Sequence, residues 1–131
     1  MIVVDSNVWI YAENQTSVEH AAAVQAVRKA IDENFGINPI VVSEVFHALC
    51  RLLGPAEAVA RVSNILRHPS GEWLLISTAT TQAAMALSAH AGIRINDALI
   101  ATQALEQEAS VLTDDVRDFR KVKGLKVVAL R

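Results

Sequence analysis

Fourteen of the 131 residues are acidic. Four of them, Asp5, Glu44, Asp97 and Asp115, stand where the residue pattern passes from strand to helix or where a helix begins. In an open parallel sheet the carboxyl ends of the strands line one edge, and ligand sites form there. Carboxylates gathered at that edge repel and raise one another's pKa unless a cation neutralises them. Hard divalent cations such as Mg²⁺ or Mn²⁺ take oxygen ligands of this kind, together with water and substrate phosphate. Two such ions, about 3.5 to 4 Å apart, can activate an attacking water and stabilise the leaving oxygen of a phosphoryl transfer. Taken singly, each acid is equally well read as a helix cap, since carboxylates are favoured in first turns. Asp5 fits that reading least, because an acid closing a buried strand is a poor neighbour for an apolar core. Glu44 has Ser43 beside it, which could serve as the cap alone. As a set, the four favour an all-carboxylate site for phosphoryl transfer.

The elements that must position these acids follow from the apolar pattern. Ile2-Val3-Val4 is a short β-branched run and predicts a buried strand. Asp5-Ser6-Asn7 favours a cap, with a short helix beginning at Val8 to Tyr11. Ser17 to Glu33 carries Ala and Val at helical spacing. Ile37 to Ile40 predicts a second strand, after which Ser43 caps a helix to Leu53. Gly54-Pro55 breaks it and opens another, Ala56 to Arg67. A turn at His68 to Gly71 precedes a third strand, Trp73 to Ile76, and a helix over Thr78 to Ala91 that Gly92 ends. Asn96 caps a helix to Glu108. Ser110 to Thr113 is a fourth strand, followed by an acidic turn, a short helical segment to Lys121 and a fifth strand, Lys126 to Leu130. Strands separated by helices require crossovers, so the fold class is α/β: three α/β/α layers on a mostly parallel five-stranded sheet. One domain, residues 1–131, accounts for the length.

Composition excludes several classes. The apolar share is 52%, the charged share 20% and the net charge −2, so a disordered polyelectrolyte is ruled out. No apolar run approaches the roughly 18 to 20 residues of a membrane span. A single cysteine, Cys50, and the lack of a basic leader point to a cytoplasmic protein. His20, His47, His68 and His90 fall on separate elements and make no zinc site. Cys50 has no activating context and reads as a core packer. Arg51, two helical turns past Glu44, could meet a backbone phosphate or pair with an acid, and Arg94, just before Asp97, has the same two readings. Six of the 12 basic residues lie between Arg117 and Arg131. That cluster is either a phosphate-binding flank or a solvated face. Trp9 and Tyr11 could stack a base but fit a core or partner contact better. So much apolar surface in so small a domain suggests a partner chain.

Four blocks resemble the PIN-domain nucleases. Met1 to Val8 is similar to the family's opening, a hydrophobic strand followed by Asp-Ser/Thr-Asn/Ser. Pro39 to Val45 resembles its second block, where a Glu opens a helix; Ile95 to Ala101 resembles the third, an Asp-Ala pair; Val111 to Phe119 resembles the fourth, Thr-x-Asp/Asn-x-x-Asp-Phe. The blocks keep their order across Ile2 to Leu130, and the small size is similar to that of the VapC toxins. The resemblance implies an Mg²⁺- or Mn²⁺-dependent endoribonuclease that hydrolyses RNA with metal-activated water, a homodimer, and inhibition by a small antitoxin protein. It implies Asp5, Glu44, Asp97 and Asp115 as catalytic metal ligands, Asp118 as a fifth acid, Thr113 orienting water or a ligand, and Asn7 holding Asp5. Asp114 falls at a variable position and is left without a role. Two other readings compete. A non-catalytic RNA-binding or protein-interaction module could use the same fold. An aspartate-nucleophile phosphatase would also place an acid after the first strand, but Asn7 stands where that chemistry wants a second acid.

Overall fold

Three consecutive β-branched side chains favour an extended backbone with both faces buried, and Ile2–Val4 forms such a strand, β1, with every residue buried. The computed structural model describes residues 1–131. Four further strands are β2 (Phe35–Ile37), β3 (Gly71–Trp73), β4 (Ser110–Thr113) and β5 (Val127–Ala129). Their order is β3-β2-β1-β4-β5, and every pairing is parallel. β1 therefore lies in the middle, with Ile2 opposite Phe35 on one side and Ser110 on the other. Seven helices make the crossovers: α1 (Ser6–Glu13), α2 (His20–Asp32), α3 (Pro39–Leu53), α4 (Pro55–Leu66), α5 (Thr78–Ala91), α6 (Ile95–Glu106) and α7 (Val116–Phe119). The sheet is thus fully parallel and flanked by helices, as the pattern of elements predicts.

The second strand and the helix after it lie earlier than the apolar pattern suggests. β2 ends at Ile37, and Pro39 to Val42, apolar enough to extend a strand, is already helical. Proline lacks the amide a strand interior needs, and its fixed φ suits the first position of a helix. Asn38 supplies the cap, its Oδ1 accepting the Val41 amide at 2.9 Å. Ser43 is consequently an exposed residue inside α3, and Glu44 sits in the second turn rather than at the strand's end. β3 likewise begins at Gly71 instead of Trp73. α6 starts at Ile95, with Arg94 instead of Asn96 in the cap position, two residues earlier than expected, and Asp97 falls in the first turn.

α6 is the central helix. Eight consecutive residues, Asp97 to Ala104, are buried, as expected of a helix enclosed on all sides. Ala98, Ala101 and Ala104 keep its surface low enough for close packing. The buried Asn38 side chain donates to Gln103 Oε1 at 2.8 Å, and Gln103 donates onward to the Leu75 carbonyl at 2.9 Å. That chain of bonds ties the start of α3 to α6, the two helices that carry Glu44 and Asp97. Trp9 packs edge-on against Phe35, with ring centroids 5.1 Å apart. It is a core residue, closed off from any base. No helix is long and apolar enough to cross a membrane.

Candidate metal centre

Asp5 is fixed before its side chain makes any contact. Its amide donates to the Leu112 carbonyl at 2.9 Å, continuing the β1–β4 ladder one residue past the strand. It also caps α1, with Oδ1 accepting the Ser6 amide at 2.8 Å. Oδ2 accepts the Thr113 hydroxyl at 2.7 Å, and the same hydroxyl oxygen accepts the Asp115 amide at 2.9 Å. With its one proton given to Asp5, Thr113 has a fixed orientation and links two of the acids. Asp5 is only 4% exposed. Burial pushes its carboxyl from 3.8 up to about 6, against the pull of the Thr113 and Ser6 bonds, and the charges of Asp97 and Glu44 add to the rise.

Glu44 reaches the centre from α3, where Ser6 Oγ donates to its Oε1 at 3.1 Å. Asp97, buried on the first turn of α6, lies under Arg94, whose Nε and Nη2 contact its two oxygens at 3.3 and 3.4 Å. Burial also raises the Asp97 carboxyl; Arg94 opposes this, while Asp115 and Glu44 reinforce it. One carboxylate oxygen from each of Asp97, Asp115 and Asp118 lies within 4.8 Å of the others. Lys121 Nζ sits 3.2 Å from Asp118. The donors are all hard oxygens, with no imidazole or thiolate among them, which suits Mg²⁺ or Mn²⁺ and disfavours zinc or copper.

The site thus brings Asp97, Asp115 and Asp118 together as one group, and joins Asp5 to Glu44 through Ser6 and to Asp115 through Thr113. Arg94 touches Asp97. Arg51 is exposed on α3 and forms no ion pair. Asn7 is placed differently from the expectation. Its Oδ1 accepts the Asp114 amide at 3.3 Å, so it holds the β4–α7 turn instead of Asp5. Sequence reasoning gave Ser6 only a capping role; its position directly after the strand-closing acid was the available signal. Lys121, three residues after Asp118, was legible as an i,i+3 partner. A cavity of about 360 Å³ lies between α2 and the β4–β5 side of the sheet, and none of these acids lines it.

Fold and site together define an α/β domain with an all-carboxylate centre at the carboxyl edge of a parallel sheet. The PIN domain model matches residues 2–125, and the chain belongs to that family. No curated protein matches the chain in sequence. Among solved structures, it is similar to VapBC2 from Rickettsia felis bound to a DNA fragment from their promoter, at a TM-score of 0.78 and 19% identity over 98% of both chains. It is also similar to VapC20 from Mycobacterium tuberculosis, described as a sarcin-ricin loop cleaving toxin, at a TM-score of 0.74 and 18% identity over 85% of this chain and 87% of that one. FitAcB from Neisseria gonorrhoeae gives a TM-score of 0.71 at 19% identity, over 99% and 98%. At such identities the likeness is one of fold.

Proposed function

We propose that the protein is a divalent-metal-dependent endoribonuclease and the toxin of a toxin–antitoxin pair, acting in the cytoplasm. The observation that carries this reading is the crowding of acids. Oxygens of Asp97, Asp115 and Asp118 converge within 4.8 Å, beside an Asp5 whose carboxyl burial has pushed up to about 6. Such a group is costly to ionise without a cation, and it has the hard-oxygen donors a divalent ion takes. Asp5, Glu44, Asp97 and Asp115 would hold Mg²⁺ or Mn²⁺, with Asp118 as a fifth ligand. When bound, the ion would supply charge for the phosphate and lower the pKa of water.

The chain's own residues do the positioning. Thr113 holds the Asp5 carboxylate and the Asp115 amide in one register, and Ser6 aims Glu44. Arg94, with 71% of its side chain exposed, can turn from Asp97 to a backbone phosphate once another cation neutralises that acid. Arg51 and the exposed Arg117, Arg120 and Lys123 offer further positive charge for an RNA strand. The toxin role is supported by the family and by neighbours of the same fold that are VapBC and FitAcB proteins. A homodimer and a small antitoxin protein are the partners this reading implies. Leu52, Leu53, Val59, Leu66 and Met85 are exposed apolar side chains on α3, α4 and α5, available for such contacts.

One observation favours a second reading. Arg94 and Lys121 already place cations on Asp97 and Asp118, so the cluster could persist as an ion-pair network in a non-catalytic RNA-binding module. The deciding experiment incubates purified, partner-free protein with total cellular RNA in Mg²⁺, Mn²⁺ or EDTA, with Asp97→Asn in parallel. Discrete fragments with 5′-phosphate ends that require metal and vanish in the variant establish the nuclease. Equal cleavage by the variant, or RNA binding without cleavage in any metal, overturns it.

A further inference from the structure

The turn between β4 and α7 is held by residues that are not part of the acidic centre. Arg131, two residues past β5, lays its guanidinium in a fork on Asp114, with Nε 3.0 Å from Oδ1 and Nη2 3.1 Å from Oδ2. The same Nη2 reaches Glu19 Oε1, next to the start of α2, at 3.2 Å. From the other side, Asn7 on α1 accepts the Asp114 amide, and the Leu130 amide donates to the Thr113 carbonyl at 2.9 Å. The side chains of Asp114 and Glu19 are only 15% and 16% exposed. Two acids so sheltered would repel each other without the guanidinium between them. Forked arginine–carboxylate pairs constrain geometry as well as charge. Asp115 follows Asp114 directly, and α7 carries Asp118 one turn later.

We propose that Arg131, bridging Asp114 and Glu19, is a positioning residue that fixes the β4–α7 turn so that Asp115 and Asp118 face Asp97 at cation-binding distance. The inference rests on the metal-centre reading above. Arg131 touches none of the three acids and acts through Asp114.

Charge and position predict opposite signs, which makes the test sharp. Removing a positive group near a cation site tightens cation binding by Coulomb's law alone. Loosening the turn weakens it. The measurement is Mn²⁺ affinity by calorimetry for the full chain, Arg131→Gln and Arg131→Lys, with amide exchange at Asp114 and Asp115 followed in EDTA.

For Arg131→Gln the expected result is about fivefold weaker Mn²⁺ binding and amide exchange faster by a similar factor, the scale of a partly exposed forked ion pair. Arg131→Lys, which keeps the charge and loses the fork, falls between it and the parent. Combining Arg131→Gln with Asp114→Asn weakens binding no further than Asp114→Asn does alone, since the two act as one unit.

Unchanged or tighter Mn²⁺ binding in Arg131→Gln overturns the clamp while leaving the metal centre standing. Additive losses in the double variant also overturn it. A parent chain that binds no Mn²⁺ overturns the metal centre itself, and the clamp's role with it.

Discussion

Replacing Asp5 with Asn should make the metal-free protein more stable while destroying the site. The folded state holds the Asp5 proton up to about pH 6, whereas an unfolded aspartate releases it near 3.8. Below 3.8 the carboxyl is neutral in both states and adds no penalty. As pH rises through 6 the folded state must carry a buried charge, and stability is lost. At 1.36 kcal/mol per pKa unit the full loss above pH 7 is about 3 kcal/mol. The amide offsets part of that gain. If its oxygen keeps the Ser6 amide, its NH₂ faces the Thr113 hydroxyl, which must stop donating while still accepting from the Asp115 amide. A hydrogen bond disturbed in this way costs about 1 kcal/mol. The net gain at pH 7.5 in EDTA is about 2 kcal/mol, or roughly 6 to 10 °C in Tm for a domain of this size. Thermal melts of parent and variant at half-unit steps from pH 4 to 8 measure it. The variant's advantage should be absent at pH 4, open between 4 and 7, and stay level above. Mn²⁺ should narrow the gap by stabilising only the parent. A variant that is less stable at pH 7.5, or a difference flat across the range, refutes the buried-charge reasoning.

Three other substitutions probe the framework around the acids. Ser6→Ala removes the bond to Glu44 but leaves the backbone cap on Asp5, so urea unfolding should shift by less than about 1 kcal/mol. Its RNA cleavage rate should fall about tenfold, the scale of a misplaced catalytic group. Asn38→Ala strips the α3 cap and leaves the buried Gln103 side chain short of a partner. Chemical denaturation should report a loss of about 2 to 4 kcal/mol. Gly71→Ala puts a methyl 2.7 Å from Phe35 Cζ and 3.3 Å from the His68 carbonyl oxygen. The ring is itself wedged against Trp9, so the expected cost is about 1 to 3 kcal/mol, read as a lower Tm.

The order of elements was legible because its signals are local. A β-branched run marks β1, and Gly92, in the left-handed region, ends α5 where the residue pattern placed its end. The boundary between β2 and α3 was misread because Ile40, Val41 and Val42 have strand composition, and only Pro39 and Asn38 reveal the helix. α6 gave no amphipathic period to read, since it is buried all round. Asp5, Asp97 and Asp115 were visible as residues at element ends, Glu44 lies a turn inside α3 instead, and the linkage of the four was not visible. Thr113 can join Asp5 to Asp115 only once the central pairing of β1 with β4 exists. The fork of Arg131 on Asp114 depends on two segments 17 positions apart meeting at one sheet edge. Such contacts leave no periodic trace in a single chain.

Placing β1 at the middle of the sheet has a consequence for biosynthesis. The partner on one side of β1 is β4, and the Thr113 hydroxyl that holds Asp5 lies 108 positions further along. No shorter nascent chain can complete the centre. At roughly 5 to 20 residues per second, a ribosome takes on the order of ten seconds to deliver that threonine. Pairings of such long sequence separation then form slowly. The acids therefore spend their first seconds dispersed along an unfinished chain, and any protein that must intercept the finished centre has that interval in which to arrive.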